Sequence, residues 1–242
     1  ANEKTGDCAR AAEDYLAAIG YAEKLGARAQ VMVLRTRYAA ALTELGRGAE
    51  GEAILREVLV EGRHAGHEAT AFARFFLAMY LGMSGRTVEA REQLTVLHEH
   101  FREASMGFFE AFVLGGVAWL DNEEGLYADA LARGQEALAL ADDRLSQMVA
   151  PQMHVLHLVT VARALAGLGG ERRATLAARL LGAGAVLLPD GHVTTSLERS
   201  NVAAAEGLAR GVLGGAAYEA AHTEGGGLSQ KEATALAETY TD

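Results

Sequence analysis

Two histidines three residues apart, in an otherwise apolar stretch, have the spacing in this chain that most suggests chemistry. His154 and His157 fall on one face of a predicted helix and offer two imidazole nitrogens of the kind that bind zinc. Because no third ligand is spaced near them, we predict no metal site and interpret one as partly buried and one as hydrogen-bonded across a helix hairpin. Four further histidines lie at predicted polar helix ends, where solvated side chains are expected: His64, His67, His98 and His100.

The motifs of nucleophilic and phosphate chemistry are incomplete. A phosphate-binding P-loop needs Gly before its Lys, whereas each lysine here follows Glu or Gln. The nearest approach to a nucleophile elbow, residues 82–85, lacks the residue needed between Ser84 and Gly85. We interpret Ser84 as a helix-end residue and the acidic run 121–124 as a solvated turn. We therefore predict no enzyme activity, no catalytic residue and no cofactor; an enzyme built on His154 and His157 is the alternative.

The elements that must carry these side chains are helices, because apolar residues recur at helical spacing. In residues 71–97 two such patterns meet at a charged turn holding Gly85 and Arg86, which predicts a helix hairpin. A period of about 40 residues is typical of stacked helical hairpins. A glycine five residues before an alanine recurs at steps of 42, 37, 40 and 44 residues: Gly6/Ala11, Gly48/Ala53, Gly85/Ala90, Gly125/Ala130 and Gly169/Ala174. The turn before Gly48 also holds Gly46, which leaves the register of this repeat open by two residues.

Apolar spacing and turn residues also predict where the helices lie. The first predicted helix reads as the second member of a hairpin, so we expect more of the protein to precede it. Ser229 and Glu232 have the spacing of a capping box at the last helix. One domain is predicted, with repeats over residues 1–188 and a C-terminal helical cap over residues 189–242. The predicted helices are residues 6–26, 30–46, 49–66, the two of a hairpin that runs from residue 71 to about 105 with its turn at Gly85 and Arg86, and residues 106–120, 126–143, 151–168, 171–188, 195–213, 216–223 and 229–240.

Composition restricts the classes of function. Of 242 residues, half are hydrophobic, 28 are Gly and 2 are Pro, which favours helices with small residues at their crossings. The scarcity of Lys suggests a GC-rich bacterial gene. The net charge of −10 makes this chain a poor DNA binder. Cys8 is the single cysteine and no apolar leader opens the sequence, so we predict a cytoplasmic protein without a disulfide. Residues 145–162 read as a buried helix rather than a membrane span.

The helix pairs resemble tetratricopeptide repeats. Their consensus has a Leu-small pair seven or eight residues before the turn glycine, and residues 77–78 before Gly85 and 161–162 before Gly169 match it. Steps of about 40 residues exceed the usual 34, which looks like the longer-helix variant of bacterial activators of the maltose-activator and large LuxR type. The resemblance implies a right-handed α-α superhelix of stacked antiparallel helix pairs.

The C-terminal third carries a more specific resemblance. Residues 177–183, AARLLGA, are similar to a segment common in those regulators. Residues 216–237, AAYEAAHTEGGGLSQKEATALA, resemble their AAFAAAWAEGRALSLEEAVALA segment, which lies just ahead of the DNA-binding domain. His222 replaces an expected Trp and Gly227 an expected Ala. The resemblance implies a noncatalytic sensory segment, with the nucleotide-binding and helix-turn-helix domains outside this chain.

In tetratricopeptide arrays a fixed set of inner-helix positions lines the concave face. Such a groove would receive a protein segment, or a small apolar effector with one anionic group; the alternative is that these side chains pack hairpin on hairpin. DNA would be contacted only through an absent domain, no membrane partner is predicted, and a homo-oligomer is compatible with the sequence. A free-standing scaffold for protein assembly is the alternative function. The matching positions are Arg35, Phe72, Phe75, Met79, Phe112, Trp119 and Arg163.

Overall fold

The computed structural model describes residues 7–64, 67–142 and 148–239, and in these ranges the regular structure is entirely helical. Twelve α-helices and one 3₁₀ turn, Gly62–His64, are found there, and no strand, which confirms the predicted all-α class. The helices are α1 (Cys8–Lys24), α2 (Arg28–Glu44), α3 (Gly48–Glu61), α4 (His67–Met83), α5 (Thr87–Glu103), α6 (Gly107–Glu123), α7 (Tyr127–Ala141), α8 (Gln152–Gly167), α9 (Glu171–Leu187), α10 (Ser196–Leu213), α11 (Gly215–Gly225) and α12 (Gln230–Glu238).

Most bounds lie within a few residues of the predicted ones, and two differ for identifiable reasons. The α3 helix, predicted to reach residue 66, ends at Glu61 because Gly62 closes it and the chain tightens into the 3₁₀ turn. The α6 helix, predicted to end at residue 120, continues to Glu123, since Asp121 and Asn122 are buried within it. The predicted capping box is confirmed: the Ser229 backbone N–H donates to Glu232 Oε2 at 2.9 Å, and the Glu232 N–H donates to Ser229 Oγ at 3.3 Å.

Several turns between successive helices share one backbone design. At the α4–α5 turn, Gly85 has φ +79° and the N–H of Arg86 donates to the carbonyl of Leu81 at 2.8 Å. This is the bond of a Schellman motif, which ends a helix through a residue in the left-handed region. The same bond closes the α1–α2, α2–α3 and α6–α7 turns, where the left-handed residues are Gly26, Gly46 and Gly125.

In the second repeat the turn glycine is Gly46 rather than Gly48. The predicted pair Gly48/Ala53 is therefore wrong. Gly46 has φ +76°, whereas Gly48 is the first residue of α3 and a Cβ there would lie 2.2 Å from Tyr80 Cε2. Five residues after Gly46 stands Gly51, whose Cβ would lie 2.7 Å from the Ala39 carbonyl oxygen. The steps from Gly46 onward are then 39, 40 and 44 residues. The predicted Gly6 lies outside the described residues.

We expect Gly46→Ala to lower the free energy of unfolding by about 1 kcal/mol. An L-residue in the left-handed region costs about 1–2 kcal/mol, partly offset by the reduced entropy of the unfolded chain. Nothing within 4 Å of the new Cβ adds a clash. Urea unfolding measures the effect, and Gly20→Ala, in open space inside α1, is the control, with an expected gain of about 0.5–1 kcal/mol. An equal rise in the free energy of unfolding of Gly46→Ala and Gly20→Ala would contradict Gly46 as the turn glycine.

The described residues form two compact units. The first contains residues up to His100 together with Val193–Thr195; the second contains Phe101–His192 and the residues from Ser196 onward. Helices adjacent in sequence pack on each other within each unit: α1 on α2 and α2 on α3 in the first, and α6 through α9 in the second. The predicted division at residue 188 rests on the end of the glycine period and stays a prediction.

In the second unit the C-terminal helices pack on the last hairpin. The α10 helix contacts α8 and α9, α11 contacts α9, and α12 contacts α7, α8 and α9. The α9–α11 crossing is the tightest of these: a Cβ on Gly182 would lie 1.9 Å from the His222 carbonyl oxygen, and one on Gly225 would lie 1.9 Å from that of Arg179. No helix in the described ranges has the length and apolar character that crossing a bilayer requires.

Candidate functional site

Arg35, whose predicted place in the groove depends on Gly48 as the turn glycine, is paired within its own hairpin. Its Nη1 donates to Glu61 Oε1 at 2.8 Å, and Nη2 pairs with Glu57 one turn earlier on α3. Partial burial lowers the pKa of Arg35, but the hydrogen bonds and charges of Glu61 and Glu57 outweigh it and raise the pKa above its usual value. An incoming anion at Arg35 must therefore compete with two carboxylates.

The three apolar candidates on α4 differ in their access to solvent. Phe72 is 43% exposed, and the Arg37 guanidinium lies 5.8 Å from its ring centroid. Phe75 is half-buried and meets Phe76 edge to face, with 6.1 Å between ring centroids. Met79 is buried in the core. Phe72 and Phe75 thus present aromatic surface in the first unit, whereas Met79 contributes packing.

In the second unit the half-buried Phe112 lines a cavity between α6, α7 and α8. The cavity has a volume of about 10 Å³, which is room for about one water molecule. It does not hold an effector in this conformation. Its lining residues are Phe108, Ala111, Phe112, Ala141, Met153 and His157.

A ridge of four polar side chains runs along the otherwise apolar α8. His154, His157, Thr160 and Arg163 follow one another at steps of three residues, and all four are buried. A step of three residues falls about 60° short of a full helical turn, so the ridge winds around α8. Each side chain therefore reaches a different part of the surrounding helices.

The first two members of the ridge, His154 and His157, contact different helices. His154 Nε2 lies 2.7 Å from Thr234 Oγ1 on α12, and that hydroxyl donates to the Gln230 carbonyl at 2.9 Å. The Thr234 oxygen therefore accepts from His154, which places the imidazole proton on Nε2. His157 packs instead against Gly115 of α6, where a Cβ would lie 2.3 Å from its ring.

Both histidines are held neutral by burial. Burial lowers the pKa of His157 to about 3, with a further contribution from His154. Burial also lowers the pKa of His154, against the opposing charge of Asp142. The predicted bond across a hairpin is wrong, because the partner of His154 lies in the C-terminal cap and both rings are buried. Among the described residues no group of three metal-ligating side chains was found.

The other end of the ridge belongs to a buried polar network between α6, α8 and α10. Asn122 Nδ2 donates to the Thr160 carbonyl at 3.0 Å, which joins α6 to α8. Arg163 Nη1 donates to Glu123 Oε1 at 2.5 Å and to Asn201 Oδ1 of α10 at 3.2 Å. Asn201 Nδ2 in turn lies 3.4 Å from Thr160 Oγ1. The network thus ties α6 and α8 to α10.

The prediction of a solvated acidic turn at residues 121–124 is wrong for its first half. Asp121 is fully buried and pairs with Arg133 of α7, and Asn122 belongs to the network. The reason is that Gly125, rather than Asp121, makes the turn, so α6 carries these residues into the hairpin core. Only the last two residues of the run are exposed beside the turn.

Trp119 and Arg163, the two remaining candidates, are both nearly inaccessible to solvent. Trp119 is 5% exposed and stands one turn before Asn122 on α6; Arg163 is 8% exposed. Trp119 Nε1, Asn122 Oδ1 and Arg163 Nε have no hydrogen-bond partner among the described residues. Buried polar atoms are normally satisfied, and atoms of the same kind occur elsewhere in the described residues, for example Arg74 Nε and Arg179 Nε. The binding role of both residues stays a prediction.

Sequence reasoning did not identify Asn201 and Thr160 as members of the site. Asn201 lies in the segment predicted as the C-terminal cap. Thr160 directly follows Val159, one of the positions predicted to line the inner face. A signal for Asn201 was present, because Asn201, Ala205 and Ala209 form a stripe of period four in α10 and are its buried residues. A single amide in such an alanine stripe indicates a polar group on the facing helix.

Comparison of the chain with models of protein families, with curated proteins and with solved structures found no match.

Proposed function

We propose that this chain is a noncatalytic sensing and interaction segment of a bacterial transcription regulator. It forms a tetratricopeptide-like, right-handed superhelix that binds a protein segment or small effector on its inner face. Through that binding it controls a DNA-binding domain outside this chain. The observation that carries the proposal is the close packing of the two segments whose sequences resemble those regulators, residues 177–183 and 216–237.

The packing of α9 against α11 explains why the first segment contains Gly182 and the second contains Gly225. At the α9–α11 crossing Gly182 faces the backbone of His222, and Gly225 faces the backbone of Arg179. A β-carbon at either site would overlap a main-chain carbonyl. Both segments resemble the same regulators, and the close packing of each requires the glycine of the other. This mutual requirement favours a common structural origin with those regulators over a chance similarity of composition.

The inner helices α6 and α8 supply the proposed recognition surface. Trp119, Asn122 and Arg163 each have a buried polar atom without a hydrogen-bond partner among the described residues, beside the ion pair of Arg163 with Glu123. An indole N–H and a guanidinium N–H favour a ligand with oxygen acceptors. Carboxylate or carboxamide groups of a protein segment have this chemistry.

The native polypeptide tests the regulator proposal most directly. We expect its mass to exceed the 25.5 kDa of this chain and its sequence to continue into a helix-turn-helix domain. Mass spectrometry of the endogenous protein, with the flanking coding sequence, measures both. A native chain that ends near Asp242 without such a domain would contradict the proposal.

That outcome would favour a free-standing scaffold for protein assembly. The observation in support of a scaffold is the exposed apolar surface of α1 and its C-cap, where Leu16, Tyr21 and the C-cap residue Leu25 are 51, 69 and 82% exposed. Side chains of this kind on one helix are typical of protein interfaces. A scaffold would bind partners through α1 and lack any linked DNA-binding domain.

The inner-face site itself is tested with the flanking domains of the native protein as probes. Since Trp119 is the single tryptophan, we expect its emission to shift when a separately expressed flanking domain binds, and Arg163→Gln to weaken binding about tenfold. Val88→Ser, at a 72% exposed position of α5, is the control and should bind like the wild type. Binding that leaves the emission unchanged and tolerates Arg163→Gln would exclude this site.

A further inference from the structure

Arg74 on α4 is a half-buried cation without an acidic partner among the described residues. Its Nη1 donates to Gln93 Oε1 on α5 at 2.6 Å, so the group that it binds is a neutral carboxamide. Burial lowers the pKa of Arg74, and no carboxylate of the described residues opposes this effect. The chain has 32 acidic residues against 22 Lys and Arg. The missing ion pair therefore does not reflect a shortage of acids.

Arg86 of the same hairpin shows the usual arrangement. It pairs with Glu52 and with Glu89, each at 2.7 Å. Hydrogen bonds with Glu89 and Glu52 raise its pKa. A charge that is partly removed from water destabilises the folded state unless an opposite charge accompanies it. Arg74 lacks that compensation and Arg86 has it.

The Arg74–Gln93 pair has two N–H groups to spare. Because Gln93 Oε1 accepts from Arg74 Nη1, the amide Nε2 of Gln93 is left as a donor. Of the Arg74 nitrogens without a partner among the described residues, Nε is enclosed and Nη2 is not. An anion can therefore approach the guanidinium at Nη2. A guanidinium beside a carboxamide N–H matches the oxygen atoms of a carboxylate or a phosphate.

The two arginines predicted for the groove are less suited to an anion. Arg35 already binds the carboxylate of Glu61, and Arg163 binds that of Glu123. An incoming anion would have to compete with an internal carboxylate at either residue. At Arg74 it would meet a neutral side chain that need not be displaced.

We propose that Arg74 and Gln93 form a binding site for one oxyanion, the carboxylate or phosphate group of a small effector. The anion supplies the negative charge that the hairpin lacks at this position. Gln93 holds the guanidinium through Oε1 and donates to the anion through Nε2. The site goes beyond the proposed function, whose recognition surface lies on α6 and α8, and each can fail without the other.

Thermal unfolding of the full chain, in a buffer without carboxylates or phosphate, separates a binding site from a structural arginine. Arg74→Met keeps an apolar stem and removes the uncompensated charge, so we expect the Tm to rise by about 2–4 °C. Gln93→Glu supplies the missing carboxylate from within the hairpin and should also raise the Tm. Arg86→Met is the matched control and should lower the Tm, because it breaks two ion pairs. A fall in the Tm of Arg74→Met as large as that of Arg86→Met would overturn the proposal.

Binding itself is tested by NMR titration with acetate or inorganic phosphate, each replacing chloride at constant ionic strength. In the wild type we expect saturable shifts of the Arg74 Nε–H signal and of backbone amides around Gln93. A response to acetate alone identifies a carboxylate site, and a response to phosphate alone identifies a phosphate site.

Two variants attribute the response to this pair. Arg74→Lys keeps the charge and loses the planar fork, so we expect the anion to bind about tenfold more weakly. Gln93→Glu should abolish the response, because its own carboxylate occupies Arg74. Arg86→Lys is the control and should bind like the wild type. No response of the wild type to either anion, or an equal response of Arg74→Met, would overturn the site.

Discussion

We expect Gly182→Ala to lower the free energy of unfolding by about 2–3 kcal/mol, in the range of overpacked core substitutions. The new β-carbon would lie 1.9 Å from the His222 carbonyl oxygen and 2.9 Å from its carbon. Both are main-chain atoms, so no side chain can rotate away and α11 must move as a body. That movement also separates Gly225 from the Arg179 backbone on the other side of the crossing.

Urea or thermal unfolding measures this loss, and the chain offers a matched control. Gly207 lies within α10, and a β-carbon added there would meet nothing within 4 Å, so Gly207→Ala should gain about 0.5–1 kcal/mol from helix propensity. The double variant Gly182→Ala with Gly225→Ala should lose less than the sum of the single losses, because one displacement of α11 relieves both clashes. Additive losses, or a Gly182→Ala variant as stable as Gly207→Ala, would contradict the close crossing.

The second large effect is a loss of stability in acid that depends on His157. Its pKa is about 3 in the folded chain and about 6.5 in the unfolded chain. Between these two pH values His157 is therefore protonated in the unfolded state and neutral in the folded state. A folded pKa below the unfolded one means that this stability is complete above pH 6.5 and is lost as the pH falls toward 3. The free energy of unfolding should fall by about 1.4 kcal/mol per pH unit below pH 6 from this residue alone.

Equilibrium unfolding in urea at several pH values between 5 and 7 checks the slope. His157→Gln removes the titrating group. We therefore expect the free energy of unfolding to change with pH by about 1.4 kcal/mol per pH unit less than in the wild type, the equivalent of one proton, whatever the stability of the variant at pH 7. Leu158→Ala is the control, because it empties a fully buried neighbouring site and should lower stability at all pH values without changing the slope. His154, whose pKa burial also lowers, should preserve part of the slope in His157→Gln. An unchanged slope in that variant would contradict a neutral His157.

The helices and their hairpins could be predicted from the sequence because both depend on neighbouring residues. Apolar residues at steps of three and four determine the helical period, and Gly85, Gly125 and Gly169 mark turns that need a left-handed residue. The register at Gly46 or Gly48 could not be decided in this way. Both glycines border the same turn, and only the backbone conformation shows which one carries the positive φ.

The candidate site could be predicted only in its residue types. The pair His154 and His157 stood out by spacing, and the repeat register placed Trp119 and Arg163 on an inner helix face. Their roles depend on partners that lie far away in sequence. Thr234 is 80 residues from His154, and Asn201 is 38 residues from Arg163.

The sequence by itself determined that this chain is a series of short helices joined by glycine turns, because helix period and left-handed turns are local properties. Only the tertiary structure decided that the polar residues of α8 are buried. The physical reason is that burial and hydrogen-bond pairing depend on which distant helix covers a side chain. Here α10 and α12 supply Asn201 and Thr234 to Arg163 and His154, and no local pattern at residues 154–163 specifies those partners.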